Sequence, residues 1–335
     1  MRLAFFSAIG LISASCLSAQ TTSFSGPVLA ITFDAPTRSV RAVIGVPRAA
    51  SFGPALLDSL DFASVAPRQN YGLIFERGKC FLVSALGSKT VSTVAIADVM
   101  ANPDGIVWSA DGSLAILYSR AGNWFQSISG FPSAPVAGAL TDVSSLGGSF
   151  AAVASDKPGK QIVVAIAGDN GAVYLSSNGQ FTRLASMTKP VSLSFTGDGQ
   201  TLYALDAASL QVAAVSTASH GVQILPLPGM TNPIAIQTLQ DSENRQLLYV
   251  AGGSDRIVRV LDVASQQIVT DVALNFQPTS LDPFGSGSFV LASRSQSVNP
   301  LWLFASTPQP GAYFVPAVQL RPVHHTNTAI AGRTR

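Results

Sequence analysis

A repeat constrains this chain more than any other feature. Four prolines, Pro103, Pro190, Pro233 and Pro278, open comparable segments at successive separations of 87, 43 and 45 residues. The first gap is two periods of about 43, a spacing typical of propeller blades. The intervening unit, starting near Val143, has lost its proline but keeps its strand-like runs. PVSLSFTGDGQTLYALD from Pro190 and PDGIVWSADGSLAILYS from Pro103 both read strand, Asp-Gly turn, strand, with the Asp eight residues after the proline. Such a unit cannot bury its apolar faces alone, so neighbouring units must stack on one another.

The runs are short and rich in Val, Ile, Leu and aromatics: LAILYS, IVVAIA, VSLSF, TLYAL, QLLYVA, IVRVLDV and FVLAS. Asp111-Gly112, Asn170-Gly171, Asn178-Gly179 and Asp198-Gly199 separate them and suit tight hairpins, because Gly tolerates positive φ. VLAITFDAPTRSV at Val28 parallels IVRVLDVASQQIV at Ile257, each a strand ending in Asp (Asp34, Asp262) with a hydroxyl residue three positions later. A carboxylate so placed caps nearby backbone N–H groups, so these aspartates read as turn formers. The fold class is all-β, a β-propeller. Residues 20–320 hold seven periods. Six full units start near Leu60, Pro103, Val143, Pro190, Pro233 and Pro278, and the N-terminal unit supplies only two strands. Seven blades with one irregular is the first reading, and six blades plus an added hairpin is the alternative. Either way the two ends of the domain must meet to close the ring.

The proline-led inner strand, Asp-Gly turn, Leu-Tyr strand and Asp-x-x-Thr/Ser turn resemble the YVTN/NHL-like (WD40/YVTN-like) class of bacterial β-propeller repeats over most of residues 28–320. The first repeat, with its VRAVIG strand, is similar to those of secreted bacterial proteins of undescribed role. It departs from the common pattern in lacking a clear inner strand pair. The resemblance implies architecture, and it allows a propeller hydrolase such as a lactonase only by analogy of fold.

The first twenty residues read as an address. Met1 and Arg2 precede an apolar stretch from Leu3 to Ile12 and then the small-residue tract SASCLSA, the order of a secretory signal peptide cleaved after Ala19. The stretch is too short to span about 30 Å of hydrocarbon as a helix. The residues before Cys16 do not fit a lipoprotein signal, so the expectation is a secreted or periplasmic protein with no transmembrane segment in its mature chain. Residues 20–320 form one propeller domain, and residues 321–335, with His324 and His325, form a flexible tail. Cys80, the cysteine left after cleavage, has no intramolecular partner and lies in a strand-like run, which makes it a buried structural thiol.

Composition narrows the chemistry. Charged residues make up 11 %, apolar residues 47 %, and the formal net charge is +2, so no large field points to nucleic acid. Mean hydropathy is +0.35, which excludes a disordered chain. There are three histidines and two glutamates, Glu76 and Glu243, and neither a nucleophile elbow nor a phosphate-binding glycine loop occurs. Metal, cofactor and catalytic residues are therefore expected to be none. Trp108, Trp124 and Trp302 fall in strand-like runs and read as packing between blades. The runs are too short for an outer-membrane barrel. Three arginines recur in phase: Arg77 after YGLIFE, Arg120 after LAILYS and Arg294 after FVLAS. Equivalent loops of a propeller share one face, so these three are the candidate ligand-binding residues, their planar forks suited to anions. The functional expectation is an exported, monomeric, non-catalytic binding or scaffolding module for a protein, peptide or glycan. The propeller hydrolase is the alternative.

Overall fold

Gly and Asn at the turns and Val, Ile and Leu between them produce short antiparallel strands. In the computed structural model, which describes residues 26–318 apart from 68, 69, 89, 157, 158, 286 and 308, these strands form seven small sheets. Blade 1 comprises β1 (Val28–Asp34), β2 (Ser39–Val46) and β3 (Ala49–Leu57). Blade 2 comprises β4 (Phe62–Val65), β5 (Tyr71–Glu76), β6 (Lys79–Ser84) and β7 (Ser92–Ile96). Blade 3 has β8 (Gly105–Trp108), β9 (Leu114–Ser119), β10 (Trp124–Ser129) and an outer strand broken into β11 (Val136–Ala137) and β12 (Thr141–Asp142). Blade 4 runs β13 (Ser149–Ser155), β14 (Ile162–Ala167), β15 (Ala172–Ser177), β16 (Gln180–Ser186). Blade 5 runs β17 (Pro190–Phe195), β18 (Thr201–Asp206), β19 (Gln211–Ser216), β20 (Val222–Pro226). Blade 6 runs β21 (Pro233–Gln240), β22 (Gln246–Gly252), β23 (Ile257–Asp262), β24 (Gln267–Ala273). Blade 7 runs β25 (Asp282–Phe284), β26 (Ser288–Ala292), β27 (Leu301–Ala305), β28 (Gly311–Val315). Residues 1–19, including Cys16, and residues 321–335, including both tail histidines, lie outside the described residues.

Side chains alternate faces along a strand, and here both faces are buried. On β18, Leu202 and Ala204 pack toward blade 4, while Tyr203 and Leu205 pack toward blade 6. That is why the strands read as continuous apolar runs. Every pair of consecutive blades encloses its own apolar cluster, and a seventh cluster joins Val290, Leu303 and Tyr313 of blade 7 to Ala30 and Val43 of blade 1. The seven clusters close the sheets into a ring: the fold is a seven-blade β-propeller. Cys80 is 4 % exposed in the cluster between blades 2 and 3.

The N-terminal blade corrects two expectations. It has three described strands, not two. Its β1 also corresponds to the second strand of the other blades, not to the third as the parallel with Ile257 suggests. In blades 3, 5 and 6 the residue closing the loop after the second strand is left-handed, and its carbonyl accepts from a residue just beyond the outer strand. These pairs are Asn123 (φ 55°) with Val143, Leu210 (φ 52°) with Leu227 and Arg256 (φ 53°) with Leu274. In blade 1 the residue in that role is Arg38 (φ 49°), which follows β1 and accepts from Leu60 N–H at 3.0 Å. The sequence likeness was local turn chemistry shared by two different places in the blade.

Candidate functional site at the channel mouth

The innermost strands β4, β8, β13, β17, β21 and β25 line the central channel. Their hydroxyls are mostly spent in joining blades: Ser192 Oγ accepts from Ile236 N–H at 3.2 Å, Ser194 Oγ from Thr238 N–H at 3.2 Å, and Trp108 Nε1 donates to Ser64 Oγ at 3.0 Å. Each pair is 44 residues apart, so the repeat length is set by contacts between equivalent inner strands.

At the end where the inner strands begin, the loops entering blades 2, 3, 5 and 6 are clamped by a carboxylate. Asp206 accepts from Thr188 and Lys189 N–H, both at 3.1 Å, and from Ala208 N–H at 3.0 Å. Asp255 accepts from Thr231 and Asn232 N–H at 3.0 Å and from the Thr231 hydroxyl. In blades 2 and 3 the carboxylate sits on the other partner: Asp61 accepts from Arg77 N–H and Asp104 from Arg120 N–H, both at 2.6 Å. This clamp accounts for the phase of two of the three arginines, because the shared position is fixed through the backbone.

The three guanidinium groups have different surroundings. Arg77 is 82 % exposed at its side chain and lies 3.7 Å from Glu76. Arg294 is buried: Nη1 donates to both carboxylate oxygens of Asp34 at 2.8 Å, Nε to Asn299 O at 2.8 Å, Nη2 to Ser297 O at 2.5 Å, and the Phe52 ring lies beneath it. It is committed inside the ring closure and is not presented to a ligand. Asp34 is correspondingly more than a turn former, accepting from Thr37 Oγ1 at 2.5 Å while holding Arg294. Asp262 accepts from Ala264 and Ser265 N–H and is a turn former, as the sequence suggests.

Arg120 is placed differently. Its Nε donates to Ala151 O at the start of β13, 3.3 Å away, and its guanidinium carbon lies 5.0 Å from the Tyr118 ring centroid. It forms no ion pair among the described residues. Tyr118 stacks on Phe150 at 5.9 Å and pairs with Gly105. A Cβ on Gly105 would stand 2.4 Å from the Tyr118 hydroxyl, so the glycine lets the phenol lie over the inner strand. Burial pushes the Tyr118 hydroxyl up, against the charge of Arg120. Asp282 opens β25 on the far side of the ring. Desolvation pushes its carboxyl up, opposed by a bond from Ser280 and by the charge of Arg120. Sequence reading missed Asp282 and Tyr118. Asp282 lies four residues into the Pro278 segment, which lacks the Asp-Gly turn of its counterparts, and Tyr118 falls in the strand-like run LAILYS.

Elsewhere, Arg48, Trp302 and Phe314 line an open cleft of about 630 Å³ on the outer rim. Trp302 is stacked on Phe276 at 4.1 Å, which occupies one of its faces. His220 is exposed, and no group of three metal-ligating side chains occurs among the described residues. No described helix is long and apolar enough to cross a membrane.

No family model matches the chain, and no curated protein matches it. Among solved structures, the chain is similar to dihydro-heme d1 dehydrogenase NirN in complex with DHE, with a TM-score of 0.55 at 14 % identity over 90 % of this chain, and spans 66 % of that one. It also matches a chain of a nidogen/laminin complex over 73 % of its length and 92 % of that chain's, with a TM-score of 0.48 at 15 % identity. At such identities the likeness to NirN extends to architecture, in agreement with the seven blades and their seven apolar seams.

Proposed function

We propose that this chain is an exported, non-catalytic binding propeller that takes an anionic group at the mouth of its channel. The observation that carries the reading is Arg120, a guanidinium held against Tyr118 and Ala151 O with no carboxylate partner among the described residues. Its planar fork matches carboxylate, sulfate or phosphate and stays charged at any ordinary pH. Arg77 shares the loop position and sits at the periphery of the same face.

The test is an array of anionic ligands probed with the parent protein and with Arg120→Ala and Arg77→Ala. Both variants should fold, since exposed substitutions of this kind cost at most about 0.5 kcal/mol. Arg120→Ala should lose what the parent binds, and Arg77→Ala should keep it. Unchanged binding by Arg120→Ala refutes the reading. Export is supported by the charge, apolar run and small-residue tract of residues 1–19. Intact-mass measurement on protein recovered outside the cytoplasm should show those residues gone, and a retained Met1 would rule export by this route out.

A further inference from the structure

We propose that the outer edge of blade 7 docks an extended peptide with apolar and acidic side chains at alternate positions, which adds to β28 as a further strand. The site lies on the outer rim and is independent of the anion site read at Arg120.

β28 is the edge strand of its sheet, which runs β25-β26-β27-β28, and no described strand pairs with its outer side. Such an edge presents N–H and C=O groups that can pair with another chain. Its five residues give about 17 Å of edge at about 3.4 Å per residue. Every blade ends in an outer edge, and this one is distinguished by its walls. The cleft of about 630 Å³ lies here, lined by Ala312, Tyr313 and Phe314 of β28 together with Trp302 and Arg48.

Side chains alternate across a strand, so the two walls differ in chemistry. Trp302 and Phe314 are register partners on β27 and β28, with ring centroids 5.5 Å apart. They stand on the face toward blade 6, where Trp302 stacks on Phe276 at 4.1 Å. Phe314 is 51 % exposed, an aromatic ring that its own blade leaves half uncovered. Gly311 and Tyr313 belong to the opposite face, where Tyr313 joins the cluster shared with blade 1. On that side a Cβ on Gly311 would stand 2.9 Å from Arg48 Nη2, so the guanidinium lies over the start of β28 in the space the glycine leaves. Arg48 is exposed and forms no ion pair among the described residues.

A strand laid along this edge sends successive side chains to opposite faces. One set meets Phe314 and Trp302 and is apolar. The other meets Arg48 and is acidic, since a guanidinium takes carboxylates through its planar fork. A small anion would satisfy Arg48 alone and a small apolar molecule the rings alone, whereas a peptide answers both walls and the backbone between them. Charge argues against the chain's own C-terminal segment as the occupant. Residues 319–335 contain Arg321, Arg333 and Arg335 but no Asp or Glu.

Calorimetric titration with the peptide Ac-SFEFES-NH2 tests this, against Ac-SFKFKS-NH2 and two forms of the acidic peptide N-methylated at the Phe or at the Glu positions. The acidic peptide should bind at least tenfold more tightly than the lysine peptide. One N-methylated form should lose binding and the other keep it, because only alternate amides face the edge. Arg48→Glu should reverse the preference toward the lysine peptide, and Phe314→Ala should weaken the acidic peptide at least fivefold. Arg120→Ala should bind it as the parent does, which separates this site from the channel mouth. Equal binding of the acidic and lysine peptides, a preference that Arg48→Glu leaves unchanged, or no binding at all overturns the inference. Full binding by both N-methylated forms overturns the added strand, and loss on Arg120→Ala moves the peptide to the channel mouth. Dimerisation of the parent that Phe314→Ala abolishes overturns it by seating a second copy on the edge.

Discussion

The carboxylates of the clamps show how single residues hold a blade entry. Asp206 is 2 % exposed. Against the upward push of burial, bonds from Ser209, Ala208, Lys189 and Thr188 hold its carboxyl below the usual range, and Asp255 is lowered in the same way by Thr231 and Asn232 with help from Arg259. A carboxyl lowered on folding contributes stability above its unfolded value near 3.8 and loses it as pH falls through the lower folded value. Asp282 has the opposite sign: its raised native value makes the folded state gain stability as pH falls through that value. Asp206→Ala removes the carboxylate that accepts from three backbone N–H groups and should destabilise the protein by about 1–3 kcal/mol. The expected measurement is a melting temperature clearly below the parent's at pH 7, with the gap closing toward pH 2 as the parent loses the same interaction. A constant gap across that range would show that packing, not the ionised clamp, is what the substitution removes.

At the scale of strands and turns, local chemistry was legible where backbone conformation demands a residue type. Asn178 and Gly179 join β15 to β16 with φ of 50° and 76°, as an Asn-Gly hairpin requires, and Gly112 and Gly199 have φ of 78° and 72° after their aspartates. The same legibility misled at blade 1, because an Asp followed by a hydroxyl residue builds a turn wherever a strand ends. The broken outer strand of blade 3 was not legible at all. It depends on buried Gln126, whose amide donates to Asp98 O and Gly138 O while its carbonyl accepts from Met100 N–H, a set of partners brought together only by the fold. Two turn glycines separate conformation from space. A Cβ on Gly179 or on Gly197 meets nothing within 4 Å, but only Gly179 has positive φ. Gly179→Ala should therefore cost about 1–2 kcal/mol. Gly197→Ala should be neutral or stabilise by up to about 1 kcal/mol through the unfolded chain. Chemical denaturation of the two variants checks this, and equal losses would mean that the turn at Gly197 is strained as well.

Over the whole molecule, the repeat announced the ring, but its closure was hidden in residues far apart in sequence. Asp34 and Arg294 are 260 positions apart and look like a turn former and a loop cation. The ring sets them together at side-chain exposures of 0 % and 2 %. The closure pair differs in its consequences from Arg259 and Asp271, an ion pair within blade 6. Blade 1 and blade 7 meet through an apolar cluster and this ion pair, so the seam takes the whole effect of losing it. Removing Asp34 leaves Arg294 buried and without its carboxylate, which costs about 3–5 kcal/mol, while removing Arg294 leaves Asp34 with Arg41 at 3.7 Å and costs less. Asp34→Ala should lower the melting temperature by roughly 5–15 °C, since each kcal/mol shifts a chain of this size by a few degrees, and Arg294→Ala should lower it by less. The double variant should lose less than the sum of the two, because the residues belong to one ion-pair network and the buried guanidinium of Arg294 is gone with its carboxylate. Limited proteolysis supplies the second readout. In the single variants cleavage should begin at the seam, in residues 35–38 and 293–300, before any site in blades 4 to 6. Additive losses in the double variant, or cleavage spread evenly around the ring, would show that the apolar cluster alone closes the propeller.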